Sequence, residues 1–300
     1  MKKRNIILEG RIKSLLRVTD VSSMTVYQQG MLLSAVEKLY KATEDEDYRQ
    51  WAEEKLCELI GEDGQIKGLS GKLADYKLGS AVFALKDCDA AKKAICELAK
   101  RLAGEERSSA TETCRGIFSE KLGAAYKTQE FYMLYETAFG GKEQYNDIIA
   151  QFNILRNNVY DGVCEKLGTP EADKEIAEYA CAAIDTMEVM EQPLYEIYDR
   201  LRNLFKEAVA AMNNLSLKGF EENEGEAALL YAYAVLKGCR MKALHTEKYE
   251  EAALNILAAA EEKAEKSGEC SAQLIAAYAE SLRNREYQDY GRTKGGVLWS

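Results

Sequence analysis

Proline and histidine are both scarce in this chain of 300 residues, which contains 2 prolines and 1 histidine. An average protein of this length would contain about 15 prolines. All-β folds use many proline- and glycine-containing turns, so the shortage argues against them and favours long α-helices. The one histidine, His245, lies in a stretch rich in Lys and Glu that we expect to be a solvated loop. Ser-His-Asp and Cys-His catalytic sites are therefore not expected.

Positive charge is in the minority, and no long apolar run is present. The chain has 50 acidic and 40 basic residues, for a net charge of −10. Because nucleic-acid binding requires a concentrated positive face, we predict no nucleic-acid partner. The apolar run near the N-terminus is too short for a secretory signal, and no stretch approaches the roughly 20 apolar residues of a membrane helix. We expect a cytoplasmic protein without a membrane partner.

The 8 cysteines are scattered and form no Cys-x-x-Cys pair. Metal sites cluster their ligands, so we interpret the cysteines as reduced thiols in helical cores and predict no metal. No glycine-rich phosphate loop is found between a strand and a helix, and we predict no cofactor.

Apolar and charged helical segments alternate along the chain. The apolar segments cover residues 30–40, 78–85, 131–139, 179–190, 227–236 and 270–282, and the charged ones cover residues 48–60, 90–102, 145–157, 194–212 and 249–266. A helix that is apolar all round is buried, whereas one with a charged stripe lies at the surface. The pattern therefore predicts six inner helices and five outer ones, with an N-terminal helix over Ile6 to Val18 as the sixth outer partner.

Six such hairpins predict an all-α fold, an (α/α)6 barrel that forms one domain over residues 1–300. The inner segments recur at intervals of roughly 45–55 residues, within the range of helical repeats. An open α-solenoid of the tetratricopeptide type is the alternative. An open array needs polar capping repeats at both ends, and neither end of this sequence resembles one.

Ten short segments form an ordered set along the chain, at residues 27–30, 39–48, 62–66, 73–79, 131–133, 145–151, 183–190, 222–227, 233–238 and 294–298. In this order they resemble segments of the unsaturated uronyl hydrolases of glycoside hydrolase families 88 and 105. No single segment is specific, and the resemblance depends on the ordered set.

This resemblance implies a hydrolase acting on oligosaccharides released by polysaccharide lyases, whose terminal uronic acid carries a C4=C5 double bond. In the family an acidic residue protonates this bond and activates water, which requires a carboxyl that is protonated near neutral pH. Asp75 stands where the family has its first aspartate, although capping of the next helix is an equal explanation. The family's proton-donor position is occupied by Gln129, which cannot transfer a proton. Glu130 is the next residue, but consecutive side chains on a helix point about 100° apart. Glu130 can therefore take the role of the proton donor only if the start of the helix has shifted.

The resemblance also suggests residues for substrate binding. The catalytic candidates are Asp75 and Glu130, and the substrate-binding candidates are Tyr27, Tyr126, Gln129, Tyr132, Tyr179, Glu224 and Glu226. Tyrosines at hairpin corners more often lock helix pairs together. Thr25 replaces a family tryptophan, and residues 174–179 replace a family segment that contains arginine. Two hypotheses therefore stay open: an active hydrolase with a changed substrate, and a non-catalytic descendant that binds carbohydrate or protein.

Overall fold

Helices account for nearly all regular structure in the residues that the structure describes. This computed structural model describes residues 4–110, 115–190, 195–213 and 225–293, with side chains up to residue 283. Its helices are α1 Ile6–Val18, α2 Val26–Thr43, α3 Glu46–Leu59, α4 Asp75–Val82, α5 Asp89–Ala103, α6 Gly123–Ala138, α7 Tyr145–Leu155, α8 Asp161–Cys164, α9 Pro170–Glu188, α10 Tyr195–Asn213, α11 Glu226–Arg240, α12 Thr246–Ser267 and α13 Ala272–Thr293. A π-helical turn, Arg156–Tyr160, joins α7 to α8. Two isolated bridges, Ile60 to Ile66 and Ser108 to Ile117, are the extended pairings in these residues.

Six of the helices form a closed inner ring. Helices α2, α4, α6, α9, α11 and α13 pack in that order, and α13 packs against α2. Gly30 permits the close approach of α2 to α4, because a Cβ atom there would lie 2.4 Å from the backbone nitrogen of Leu78. The ring confirms the predicted (α/α)6 barrel and excludes an open solenoid.

The remaining long helices form the outer layer. Helices α3, α5, α7, α10 and α12 each pack outside the inner helix of their hairpin. Helix α1 is held to α13, because the Asn5 backbone N–H donates to the Tyr278 hydroxyl at 2.9 Å and that hydroxyl donates to Glu9 at 2.7 Å. The N-terminal helix is thus the sixth outer partner, as predicted. In the described parts of the chain, no helix combines the length and the apolarity that crossing a bilayer requires.

Three inner helices begin at least four residues earlier than the sequence pattern predicted. Helix α2 begins at Val26, α6 at Gly123 and α9 at Pro170, whereas the apolar segments were predicted from residues 30, 131 and 179. At the start of α9 the Thr169 hydroxyl accepts the Ala172 N–H at 3.4 Å. Pro170 occupies the first helical position, where its fixed φ angle suits the helix. The early turns of α6 and α9 carry charged residues among small ones, and the first turn of α2 contains two glutamines, so the apolar pattern starts late.

The cysteines differ from the prediction of uniformly buried thiols. Cys181 and Cys239 are buried, but Cys57, Cys88 and Cys96 are exposed. The exposed residues lie on outer helices or at their ends, where the face toward solvent also includes cysteine. Cys114 lies outside the described residues.

Candidate active site

The first turns of the inner helices meet at one end of the barrel, which we call the mouth. A cavity of about 580 Å³ opens there. Its lining includes Tyr27 from α2, Lys174 from α9, Glu226 from α11 and Gln273 from α13. An outer helix returns the chain between consecutive inner helices, so all inner helices run in the same direction. Polar side chains from their early turns therefore converge.

Glu178, on α9, is the most unusual carboxyl at the mouth. Its exposed fraction is 4%. The Tyr27 hydroxyl donates to its Oε1 at 3.3 Å. Its Oε2 occupies the space beside Gly123, where a Cβ atom would lie 2.1 Å away. Helix α6 therefore needs glycine at its first position to accommodate this carboxyl.

The surroundings of Glu178 make it a weak acid. Burial raises its pKa to about 7, although Lys174 and Lys127 lower it, and the nearby Glu226 carboxylate raises it. The pKa stays raised because desolvation of the carboxylate outweighs the attraction of two partly exposed ammonium groups. Glu178 is thus protonated in a substantial fraction of molecules at neutral pH.

Glu226 is held very differently, although it lies at the same mouth. Lys174 Nζ is 2.6 Å from its Oε2, and Gln273 Nε2 donates to its Oε1 at 2.6 Å. It is also the first residue of α11, where the helix dipole favours negative charge. Two acids in unlike environments, one deprived of water by burial and one paired with a lysine and a glutamine, are typical of sites for general acid–base chemistry.

Deeper in the barrel, two of the predicted residues, Tyr126 and Glu130, face the interior. The Tyr126 hydroxyl donates to the sulfur of Met31 at 3.4 Å, and Lys77 Nζ lies 3.9 Å from the Tyr126 ring centroid. Lys77 Nζ also donates to Glu130 at 2.9 Å, while Lys38 Nζ is 3.8 Å away. Burial favours a raised pKa for Glu130, but Lys77 and Lys38 outweigh it and hold the pKa far below its usual range. Glu130 accepts hydrogen bonds but does not supply a proton.

Asp75 faces a loop instead of the cavity. Its side chain is fully buried and accepts the Ser70 N–H at 3.1 Å, the Ser70 hydroxyl at 2.7 Å and the Gly71 N–H at 2.9 Å. Arg101 is 3.0 Å away. Asp75 is the first residue of α4, after Ala74 at the cap position, so it is not the N-cap itself. These contacts fix the loop before α4 and leave no carboxylate oxygen free for a substrate.

Gln129, Tyr132 and Tyr179 point toward the outer helix α7. Gln129 Nε2 donates to Gln151 at 3.0 Å, the Tyr132 hydroxyl donates to Asp147 at 3.0 Å, and the Tyr179 hydroxyl donates to the Phe152 carbonyl at 3.0 Å. All three therefore lie between the two helical layers, and the geometry does not place them among the substrate contacts predicted from the sequence. Glu224 lies outside the described residues.

The structure thus brings together Tyr27 and Glu226 at the mouth, with Tyr126 below them, and adds Glu178, Lys174 and Gln273, which the sequence analysis did not select. One signal for Glu178 was available, because Lys174 and Glu178 are four residues apart on the same helical face. Among the described residues, no group of three or more His, Cys, Asp or Glu side chains is arranged to hold a metal ion.

Comparison with solved structures identifies the fold. A family 105 glycoside hydrolase from C. acetobutylicum ATCC 824 superposes on this chain with a TM-score of 0.73 and 18% sequence identity. The match covers 96% of this chain and 100% of that one. A glycosyl hydrolase family 88 structure from Bacteroides vulgatus gives a TM-score of 0.65 and 10% identity, covering 93% and 97%. This chain has their six-hairpin barrel fold. No family model matches the sequence, and no curated protein matches it.

Proposed function

We propose that this protein is a glycoside hydrolase that cleaves oligosaccharides with a terminal unsaturated uronic acid, with Glu178 as the proton donor at the mouth of the barrel. The observation that carries the proposal is the position of Glu178. This carboxyl is buried at the mouth, in contact with Tyr27 and close to two lysines, in a barrel with the fold of known glycoside hydrolases.

The chemistry requires one group that first donates and then accepts a proton. Protonated Glu178 would add its proton to C4 of the double bond, and positive charge would develop at C5 and the ring oxygen. The resulting carboxylate would then take a proton from the water that attacks C5. The hydrated ring opens, and the hemiacetal at C1 releases the neighbouring sugar, so one water molecule is consumed for each bond cleaved.

The other groups at the mouth suit the charge and shape of this substrate. Lys174 and Lys127 are cations close to Glu178 that can attract the carboxylate of a uronic acid. The Tyr27 ring is only partly buried and lines the cavity, so it offers a face for the sugar ring. The second acid at the mouth is Glu226, whose side chain is fixed in position by hydrogen bonds from Lys174 and Gln273.

The direct test follows the ultraviolet absorbance of an unsaturated uronyl disaccharide during incubation with the protein. Turnover by the wild type should fall by about 10²–10⁴-fold in the Glu178→Gln variant, the usual contribution of a general acid. Activity should also decline as the pH rises through about 7, because the donor loses its proton. Glu175→Gln is the matched control, since Glu175 is on the same helix and accepts the Leu122 N–H. Full activity of Glu178→Gln would contradict this assignment.

A non-catalytic carbohydrate-binding module is the second candidate. It is favoured by the ion pairs of Glu130 with Lys38 and Lys77. Glu130 is the acid nearest to the family's donor position, and these pairs prevent it from donating a proton. If the wild type shows no turnover but unsaturated oligosaccharides raise its melting temperature, this second function replaces the first. No stabilisation by any oligosaccharide in a panel would contradict it.

A further inference from the structure

The end of the barrel opposite the mouth contains a second cavity, which we call the base cavity. Its volume is about 660 Å³, and its lining comes from the last turns of the inner helices, including Lys41 of α2, Ala138 of α6 and Glu188 of α9. Small-molecule sites are usually about 300–1,000 Å³. Because it lies at the other ends of the inner helices, this cavity is separate from the mouth and from Glu178.

Charged side chains are concentrated around the base cavity. The groups that line it or form ion pairs with its lining are seven cations and four carboxylates, namely Lys38, Lys41, Lys77, Lys86, Lys237, Arg240 and Arg283 with Glu37, Glu130, Glu188 and Glu280. This excess of cations contrasts with the net charge of −10 of the whole chain. Part of it is explained by the helix dipoles, because the C-terminal ends of helices favour cations.

Most of these cations have protein partners at short distance. Lys237 Nζ lies 2.6 Å from Asp185 and 2.5 Å from Glu188, and Arg240 is bonded to Glu188 at 2.6 Å and to Glu280. Such pairs satisfy the buried charges without a ligand.

Lys38 and Lys86 are different. The carboxylate oxygen nearest to Lys38 Nζ is Oε1 of Glu130, at 3.8 Å, which is beyond hydrogen-bond distance. Lys38 also lines the small cavity on the barrel axis, so its ammonium group lies between two open spaces. Burial lowers its pKa, but Glu130 and Asp185 raise it, and the net pKa is above the ordinary value. Within the described part of the chain, Lys86 forms no ion pair and points from the end of α4 to the rim of the cavity.

The Lys38 side chain is 17% exposed, and its Nζ lies 5.8 Å from the centroid of the Tyr233 ring. A half-buried ammonium that faces a cavity completes its hydrogen bonds with oxygen atoms, either from water or from a ligand. The lining also includes the apolar side chains of Phe83 and Leu134. An aromatic side chain beside cations is an arrangement that binds the apolar face of a sugar ring while its anionic group is neutralised.

We propose that the base cavity is a second binding site for a hexose-sized sugar with one anionic group, a carboxylate or a phosphate. Lys38 and Lys86 would bind the anion, with Arg283 at the edge of the same cavity, and Phe83 would contact the ring. This site does not depend on the function proposed for the mouth, since the two cavities share no lining residue.

Isothermal titration of the full chain tests this proposal with four probes: glucuronate, glucose 6-phosphate, glucose and inorganic phosphate. At least one anionic sugar should bind with a Kd of about 1 mM or tighter, and glucose and inorganic phosphate should bind at least about tenfold more weakly. The tighter of the two anionic sugars identifies the preferred anion. Equal binding of inorganic phosphate, or no binding of either anionic sugar, would overturn the proposal.

Variants locate the bound sugar. Lys38→Met and Lys86→Ala should each weaken its binding by about tenfold, or about 1.4 kcal/mol. Lys86 is exposed, so Lys86→Ala should fold even if loss of the half-buried Lys38 charge impairs folding. Lys100→Ala, at an exposed lysine of the outer helix α5, is the matched control and should leave this affinity unchanged. Lys127→Met removes a cation at the mouth and reports on binding there. The opposite pattern, loss in Lys127→Met with no change in Lys38→Met and Lys86→Ala, would assign the binding to the mouth and refute a second site.

Discussion

The buried carboxyl of Glu178 should make the stability of the folded protein depend on pH in a way that one substitution removes. Its pKa is raised from the ordinary 4.5 to about 7 in the folded chain. Between these two values the folded protein binds a proton that the unfolded chain releases. The contribution of Glu178 is therefore most favourable below about 4.5, and it is lost as the pH rises toward 7.

The size of this effect follows from the same two pKa values. Relative to low pH, the ionisation of Glu178 destabilises the folded state by about 0.8 kcal/mol at pH 5 and about 3.3 kcal/mol at pH 8. The Glu178→Gln variant has no charge to bury, and its amide oxygen can still accept the Tyr27 hydroxyl. The difference in unfolding free energy between variant and wild type should thus shift in favour of the variant by roughly 2.5 kcal/mol from pH 5 to pH 8.

Urea denaturation of both proteins at the two pH values, followed by circular dichroism, measures this difference. Glu175→Gln provides the control on the same helix, because Glu175 accepts a backbone N–H at the start of α6 instead of lying buried beside Gly123. Its difference from the wild type should be similar at both pH values. The reasoning would be refuted if the stability difference for Glu178→Gln were also the same at pH 5 and pH 8.

Two further substitutions test the packing around the site. Gly123→Ala should displace the Glu178 carboxyl, since the new Cβ would lie 2.1 Å from its Oε2. Thermal melting should show a loss of about 1–3 kcal/mol of stability, and most of the hydrolytic activity should be lost. Gly162→Ala is the control for both measurements, because nothing lies within 4 Å of a Cβ atom there. Asp75→Ala should destabilise the fold by about 1–3 kcal/mol because the loop before α4 loses the hydrogen bonds from Ser70 and Gly71 and Arg101 loses a partner, whereas turnover per folded molecule should be nearly unchanged. Loss of turnover at an unchanged melting temperature would instead make Asp75 catalytic.

The fold could be predicted from the sequence because burial of the inner helices leaves a simple pattern. Helices that are covered on all sides, such as α11 and its apolar residues 227–236, contain few charges, and outer helices carry a charged stripe. The same pattern correctly identified Ile6–Val18 as the helix that completes the outer layer. Hydrophobic periodicity thus encodes which layer a helix belongs to.

The site was harder to predict because its residues interrupt this pattern. Lys174 and Glu178 lie in the early turns of α9, which were predicted to precede the helix because they contain charges. The resemblance to a known family directed attention to Asp75 and Gln129, but the direction of a side chain on a helix changes by about 100° per residue. Neither the loop contacts of Asp75 nor the outward direction of Gln129 leaves a signal in composition or spacing.

The comparison of Glu130 with Glu178 explains why chemistry belongs at the mouth. Both carboxyls are buried in the barrel wall, at 8% and 4% exposure, so burial alone does not separate them. Glu130 has Lys77 at hydrogen-bond distance and Lys38 close by, and it remains a carboxylate. Among the described residues, the hydrogen-bond partner of Glu178 is the Tyr27 hydroxyl, while the nearby lysines are partly exposed and screened by water. A barrel with paired charges at one end and a protonatable Glu178 at the other therefore suits the proposed anion binding at the first end and the proposed proton transfer at the second.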